Sequence, residues 1–353
     1  MSTLQLGLAV AGGVVLAAMV AHSAWASRRN TPRQPQHPSA DPQQEPSLHG
    51  DDMPDTVPME SMLDEFGSAK PASLQPRKPA MDALIDVIAT VALDPHTPAV
   101  LGEVALAALP ASLRAGSKPM LVEGYNLQSL LWELPAVGQR YGGFQVGVQL
   151  ANRSGALNEI EFSEFVAKTQ AFADALSASP EFPDMLHEVA RAKELDQFAS
   201  AHDAQLAFSI RARSAAWSIP FIQQCVAQQG FVAGVIPGRL VLPTAQEGLP
   251  PVLVLQFDSQ VALSDDPLHS AIRALTLQLD VAHVAQDERP FERMRAVANA
   301  LAVQMDGVVT DDQGNPLLEP SLDAIANDLQ GLYAALEQHD LKAGSPQARR
   351  LFS

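Results

Sequence analysis

Two strings in this chain, Phe144-Gln-Val-Gly-Val-Gln-Leu150 and Leu275-Thr-Leu-Gln-Leu-Asp-Val281, read as one strand written twice. They match in alternation and in parity, and the elements around them match as well. In the first half, residues 84–93 alternate as a strand. Residues 100–109 follow as a helix, with Leu101, Val104, Ala105 and Ala108 on one face. Strands are then expected at 120–125, 129–134 and 144–150. A helix over 159–177 comes next, burying Phe162, Phe165, Val166, Phe172, Ala173 and Leu176.

The order recurs downstream. Residues 205–211 read as a strand, 220–229 as a helix, and 231–236, 239–242, 252–257 and 274–281 as strands. A helix over 290–305 carries Phe291, Met294, Val297, Leu301 and Met305. A short strand over 307–310 and an Asp-Asp-Gln-Gly turn follow. A last helix from Ser321 puts Leu322, Ile325, Leu329, Leu332 and Leu336 on one stripe, with Pro320 suited to its first turn. The predicted fold class is therefore α+β: two tandem related units, each an antiparallel sheet with helices on one face. The segment 184–201 is a further helix that joins the units or closes the first.

A sheet covered on one face leaves the other free. In the second unit Leu206, Phe208 and Ile210 alternate with Gln205, Ala207 and Ser209, and Leu275, Leu277 and Leu279 alternate with Thr276, Gln278 and Asp280. The first set is expected against the helices and the second on a helix-free face of small and polar side chains.

Ahead of the units, residues 4–26 hold no charge, about the length needed to cross a ~30 Å hydrocarbon core. Trp25 suits an interfacial anchor, and Arg28, Arg29 and Arg33 follow with nothing basic before. That orientation puts the N-terminus outside and the remainder in the cytoplasm, as a single-pass membrane protein. A cleaved signal peptide fits less well, because no basic residue precedes the apolar run. Residues 28–80 are rich in Pro, Gln, Ser and Asp, a composition expected to stay disordered. Within them Met59, Met62, Leu63 and Phe66 have helical spacing, a run that is more often incidental than a short docking motif. The expected boundaries are 1–27 for the anchor, 28–80 for the linker, 81–203 and 204–344 for the two units, and 345–353 for a flexible tail.

The chain carries 23 Lys+Arg against 40 Asp+Glu. Positions 1–80 hold six of the basic and eight of the acidic side chains, so the rest is 17 against 32, a net −15. A region so acidic repels phosphate, which argues against nucleic acid as a partner. The single cysteine, Cys225, lies in an apolar helical pattern and supports no disulfide framework. Phosphate-loop, dinucleotide, zinc-helix and nucleophile-elbow motifs are absent, so no cofactor, metal or catalytic residue is expected. His269 and His283 flank the strand at 274–281 and read as surface residues. Asp311 and Asp312 read as a turn rather than a carboxylate pair.

Three strings carry a resemblance. They are Val20-Ala-His22-Ser-Ala-Trp25-Ala-Ser-Arg28-Arg29 closing the apolar run, Cys225-Val-Ala-Gln-Gln-Gly-Phe231, and Asp306-Gly-Val-Val-Thr-Asp-Asp-Gln313 after the helix opened by Phe291. Together they resemble the ZipA family, bacterial cell-division membrane anchors for FtsZ. The resemblance spans the anchor and the second unit from Gln205 onward.

It implies a non-enzymatic divisome scaffold that tethers FtsZ polymers to the inner membrane, supporting Z-ring assembly and septum formation. The FtsZ C-terminal peptide would lie on the helix-free face of the second unit. The matching positions are Ile236 on the second strand and Thr276, Gln278 and Asp280 on the last long strand. Ala207, Ser209, Val254 and Gln256 are aligned less closely. The chain departs from the family in carrying Gln278 where the groove has a large apolar residue, and in its extra first unit. Implied partners are the FtsZ C-terminal tail and, through the N-terminal helix, the lipid bilayer, with self-association left open. A membrane-tethered sensor binding a small ligand between the two units is the alternative reading.

Overall fold

The computed structural model describes residues 81–94, 96, 99–246, 248–258 and 271–353. The expected membrane span, the linker and His269 lie outside the described residues. Among the described residues no helix is long and apolar enough to cross a membrane. These residues divide into two compact units, 81–197 and 198–353.

The first unit runs β1 (Asp86–Leu93), β2 (Val100–Leu101), α1 (Gly102–Ala108), β3 (Arg114–Ala115), β4 (Lys118–Asn126), β5 (Trp132–Glu133) and β6 (Arg140–Gln149). It continues through the small hairpin β7 (Ala151–Asn152) and β8 (Gly155–Ala156), α2 (Glu159–Ala175), β9 (Ala178–Glu181) and α3 (Met185–His202). Its sheet has the order β3-β4-β6-β1-β9, and every pairing is antiparallel. Asn158 starts α2 with a capping box: its side chain accepts from the Ile160 and Glu161 N–H groups, and the Glu161 carboxylate accepts from the Asn158 N–H. The core packs Val87, Ala89, Val91, Phe144, Val146 and Val148 from the sheet against Phe162, Phe165 and Phe172 from α2. Phe144 and Phe172 meet edge to face at 5.4 Å.

The second unit runs β10 (Gln205–Ala212), α4 (Ile219–Ala227), β11 (Val232–Ala233), β12 (Arg239–Leu242), β13 (Leu253–Gln256) and β14 (Ala274–Asp280). Two 3-10 turns lead to α5 (Pro290–Met305), β15 (Gly307–Thr310), α6 (Glu319–Gln338) and α7 (Pro346–Leu351). Its sheet order is β11-β12-β13-β14-β10-β15. Phe291, Met294, Val297, Leu301 and Met305 of α5 are buried, as are Phe208, Ile210, Leu275, Leu277 and Leu279 of the sheet. The 6.2 Å contact between Phe208 and Phe291 places α5 on that face. Trp217 is fully buried, and its indole N–H donates to the Met305 carbonyl at 2.7 Å, tying the approach to α4 to the end of α5.

Strand register relates the units residue by residue. In the first, Val87, Ala89 and Val91 pair with Val148, Val146 and Phe144. In the second, Leu206, Phe208 and Ile210 pair with Leu279, Leu277 and Leu275. Phe144 thus occupies the place of Leu275, as the two strings predict. The edge strands agree too: Val91 faces Pro180 on β9, and Ile210 faces Val309 on β15. Between the long helix and its edge strand each unit turns on a non-glycine residue with positive φ, Ser177 and Asp306, both at 52°.

Several expectations are corrected. The strand expected at 129–134 shrinks to Trp132–Glu133, because Leu127–Ser129 form the turn of a hairpin. Strand 231–236 is only Val232–Ala233, since Pro237 and Gly238 (φ 76°) turn the chain back and leave Ile236 at the hairpin tip. Residues 345–353 are not a flexible tail. Ser345 caps α7 by accepting from the Ala348 N–H, and Leu351 and Phe352 are buried.

Candidate peptide-binding face

The face of the second sheet opposite α5 is built from two rows. In register across five strands stand Val232, Val241, Val254, Gln278 and Ala207. Beside them stand Arg239, Gln256, Thr276, Ser209 and Thr310. With strands ~4.8 Å apart, each row is about 20 Å wide. On β12, β13 and β14 these positions are half-buried, while Leu240, Leu242, Leu253, Leu255, Leu275 and Leu277 between them are buried. The alternation in burial therefore follows the alternation in the sequence.

Seven of the eight predicted positions sit on this sheet. Ala207, Val254 and Gln278 share the first row, and Ser209, Gln256 and Thr276 share the second. Asp280 stands one step beyond, opposite Gln205. Ile236, expected on a strand, is at the β11–β12 tip instead, 53% exposed, beside the fully exposed Val235. The sequence reading missed Val232 and Val241. They extend Val254 into a row of three valines and supply the apolar strip that Gln278 does not. Strict register was the signal that could have found them, since Val241 alternates with Leu240 and Leu242.

The electrostatics are also two-sided. Arg211 and Arg239 lie on the helix-free face and make no ion pair with another described residue. Asp280 marks the other end, its carboxylate 3.6 Å from His283 Nδ1. His283 Nε2 lies 2.9 Å from the carbonyl of Phe352, so this histidine holds the last helix in place. Asp311 accepts from the Asn315 side-chain amide and N–H, and these bonds hold its carboxyl below the usual range. It is a turn residue. Cys225 is buried in α4. Among the described residues no group of three His, Cys, Asp or Glu is placed to hold a metal ion. A separate open groove of about 560 Å³ lies along β15, lined by Val303, Val308, Leu317 and the polar side chains of Arg213, Asn299 and Glu319.

The corresponding face of the first sheet is not open. Register puts Gly147 in the place of Gln278, Gln145 in that of Thr276 and Glu123 in that of Gln256. A Cβ added to Gly147 would stand 2.6 Å from the sulfur of Met81, so the buried Met81 side chain rests directly on the sheet. The Met81 N–H donates to Glu123 Oε1 at 3.2 Å, and the Gln145 amide donates to Glu123 Oε2 at 2.7 Å.

No curated protein matches the chain. The family model described as "ZipA, C-terminal FtsZ-binding domain" matches residues 264–328, which take in β14, α5, β15 and the first half of α6. That stretch includes the central strand of the face, the helix that backs it and the edge strand beyond. Residues 264–328 of the second unit are thus similar to the C-terminal FtsZ-binding domain of the ZipA family.

Proposed function

We propose that this is a cell-division protein that tethers FtsZ to the inner membrane, holding the FtsZ C-terminal peptide on the helix-free face of its second unit. The family match supplies the partner. The observation that carries the location is the valine row Val232–Val241–Val254, flanked by Thr276, Gln278 and Arg239. Covering a half-exposed valine contributes about 1 kcal/mol, so three of them with a few charge-assisted contacts support a micromolar site. A polymer presenting many tails to many anchored copies multiplies that modest affinity. Residues 4–26 would be the membrane anchor and residues 28–80 the tether, with the second unit in the cytoplasm. The role is that of a scaffold.

The test is binding of a fluorescent FtsZ C-terminal peptide to the full chain in lipid nanodiscs, beside a Thr276→Arg, Gln278→Arg double variant. Micromolar binding that weakens at least about tenfold in the variant supports the reading. Binding unchanged in the variant moves the site off this face. No binding at low salt rejects FtsZ as the partner.

A further inference from the structure

We propose that residues 59–66 of this chain dock on the apolar end of its own first unit. Six large side chains are exposed there: Leu101, Val104, Leu127, Leu130, Leu134 and Val137. They belong to one end of the sheet. The Gly102 N–H donates to the Gln139 carbonyl at 2.9 Å, the Leu127 N–H to the Arg140 carbonyl at 3.0 Å, and Leu101 lies opposite Arg140. Gly102 is packed so tightly that an added Cβ would meet the Ala136 carbonyl. Leu130 is the clearest sign of a purpose. It holds φ at 58° on the turn after β4 and leaves its side chain 63% exposed. A leucine in that conformation costs roughly 1–2 kcal/mol, where Gly or Asn would cost less, and the exposed side chain gains the fold nothing. An apolar cluster of this kind marks a contact surface.

The occupant is argued from chemistry and reach. Met59, Met62, Leu63 and Phe66 fall at i, i+3, i+4 and i+7, one apolar stripe, among Glu60, Asp64 and Glu65. Methionine-rich stripes adapt to irregular apolar surfaces. Arg140, exposed at the patch, makes no ion pair with another described residue and is available to the acidic side chains. Glu103 and Glu133, also nearby, are engaged by the Gly138 N–H and by Asn126 and Tyr141 respectively. The segment 67–80 separates Phe66 from Met81. Fully extended, such a stretch spans about 50 Å. Met81 rests on the sheet at Gly147, and the patch begins near Tyr141 on the same strand, about 20 Å away at the strand rise. The segment reaches with slack, and a short tether gives it a millimolar effective concentration that a second copy must outcompete.

The test places the photo-crosslinker p-benzoylphenylalanine at position 130 of the full chain in nanodiscs, using a mixture of ¹⁴N- and ¹⁵N-labelled protein. The expected product joins position 130 to residues 59–66 of the same isotopic label. In a Met62→Glu, Phe66→Glu variant that product disappears, amide exchange over residues 127–137 accelerates at least about tenfold, and FtsZ-peptide binding stays unchanged. Adducts with lipid, mixed-label products, or exchange over 127–137 that is the same in both proteins would overturn the proposal.

Discussion

The two units share a strand order, a register and even a left-handed residue at the same corner, yet they treat their helix-free faces in opposite ways. In the first, Gly147 clears space, Met81 fills it, and Glu123 bonds to both the Gln145 side chain and the Met81 backbone. In the second, Gln278, Gln256 and Thr276 take those places, and the valines beside them stay half-exposed. The fold is thus set by the buried set of each alternation, and the other set is free to specialise. A duplicated scaffold carries no guarantee of a duplicated site.

The comparison breaks first at the core. Phe144→Ala and Leu275→Ala remove equivalent buried side chains. They are expected to cost about 3–5 and about 2–5 kcal/mol respectively, read by denaturant unfolding. If the units are functionally distinct, only Leu275→Ala will also weaken FtsZ-peptide binding.

A smaller asymmetry is chemical. Tyr333 on α6 is buried, with its phenol pushed up to about 12 by burial and by Glu292, and α3 of the first unit has no tyrosine. A raised folded pKa means stability intact below about pH 10 and lost as pH rises toward 12, on the order of 2–3 kcal/mol. Tyr333→Phe should abolish that alkaline loss in a pH series of melting curves. It also removes a hydroxyl that makes no hydrogen bond with another described residue, so at neutral pH it should be neutral or stabilising.

The faces themselves give the next contrast. Thr276→Arg should weaken peptide binding several-fold by anisotropy, whereas Gln145→Arg at the matching position of the first sheet should leave it untouched.

Smallest is the shared corner. Ser177→Gly should raise stability by about 0.5–1 kcal/mol by relieving the left-handed strain. Asp306→Gly should gain less, because it also deletes the 2.6 Å bond that Asp306 accepts from the Ser214 hydroxyl.

Much of this was legible in the sequence because alternation and helical period report burial directly. The strings at Phe144 and Leu275 fall into structural register, and the stripes on α2, α5 and α6 supply most of the buried apolar side chains of those helices. On α6, however, the buried Tyr333 lay outside the stripe, and Ile325 and Leu332 are only half-buried. What escaped has physical reasons. Strand β9, Ala-Ser-Pro-Glu, is short and holds a proline, which an edge strand tolerates but which masks the pattern. Helix α7 is too short to show a period, although Ser345 followed by Pro346 is a cap signal visible in hindsight. At the candidate face, parity placed Ala207, Ser209, Thr276, Gln278 and Asp280, while Val254 and Gln256 came only through the family resemblance. Val232 and Val241 needed the pairing of β11 with β12. The contact of Met81 with Gly147 joins positions so distant along the chain that no local pattern encodes it.

That last contact bears on how tandem proteins of this kind can be rebuilt. Met81 belongs to the segment that leads into the first unit, not to the sheet it covers. The copy's socket is therefore stoppered by its own lead-in peptide while its walls remain intact. Grafted behind a different leader, or given Met81→Gly, the first unit becomes a vacant module whose specificity can be written afresh without touching its core.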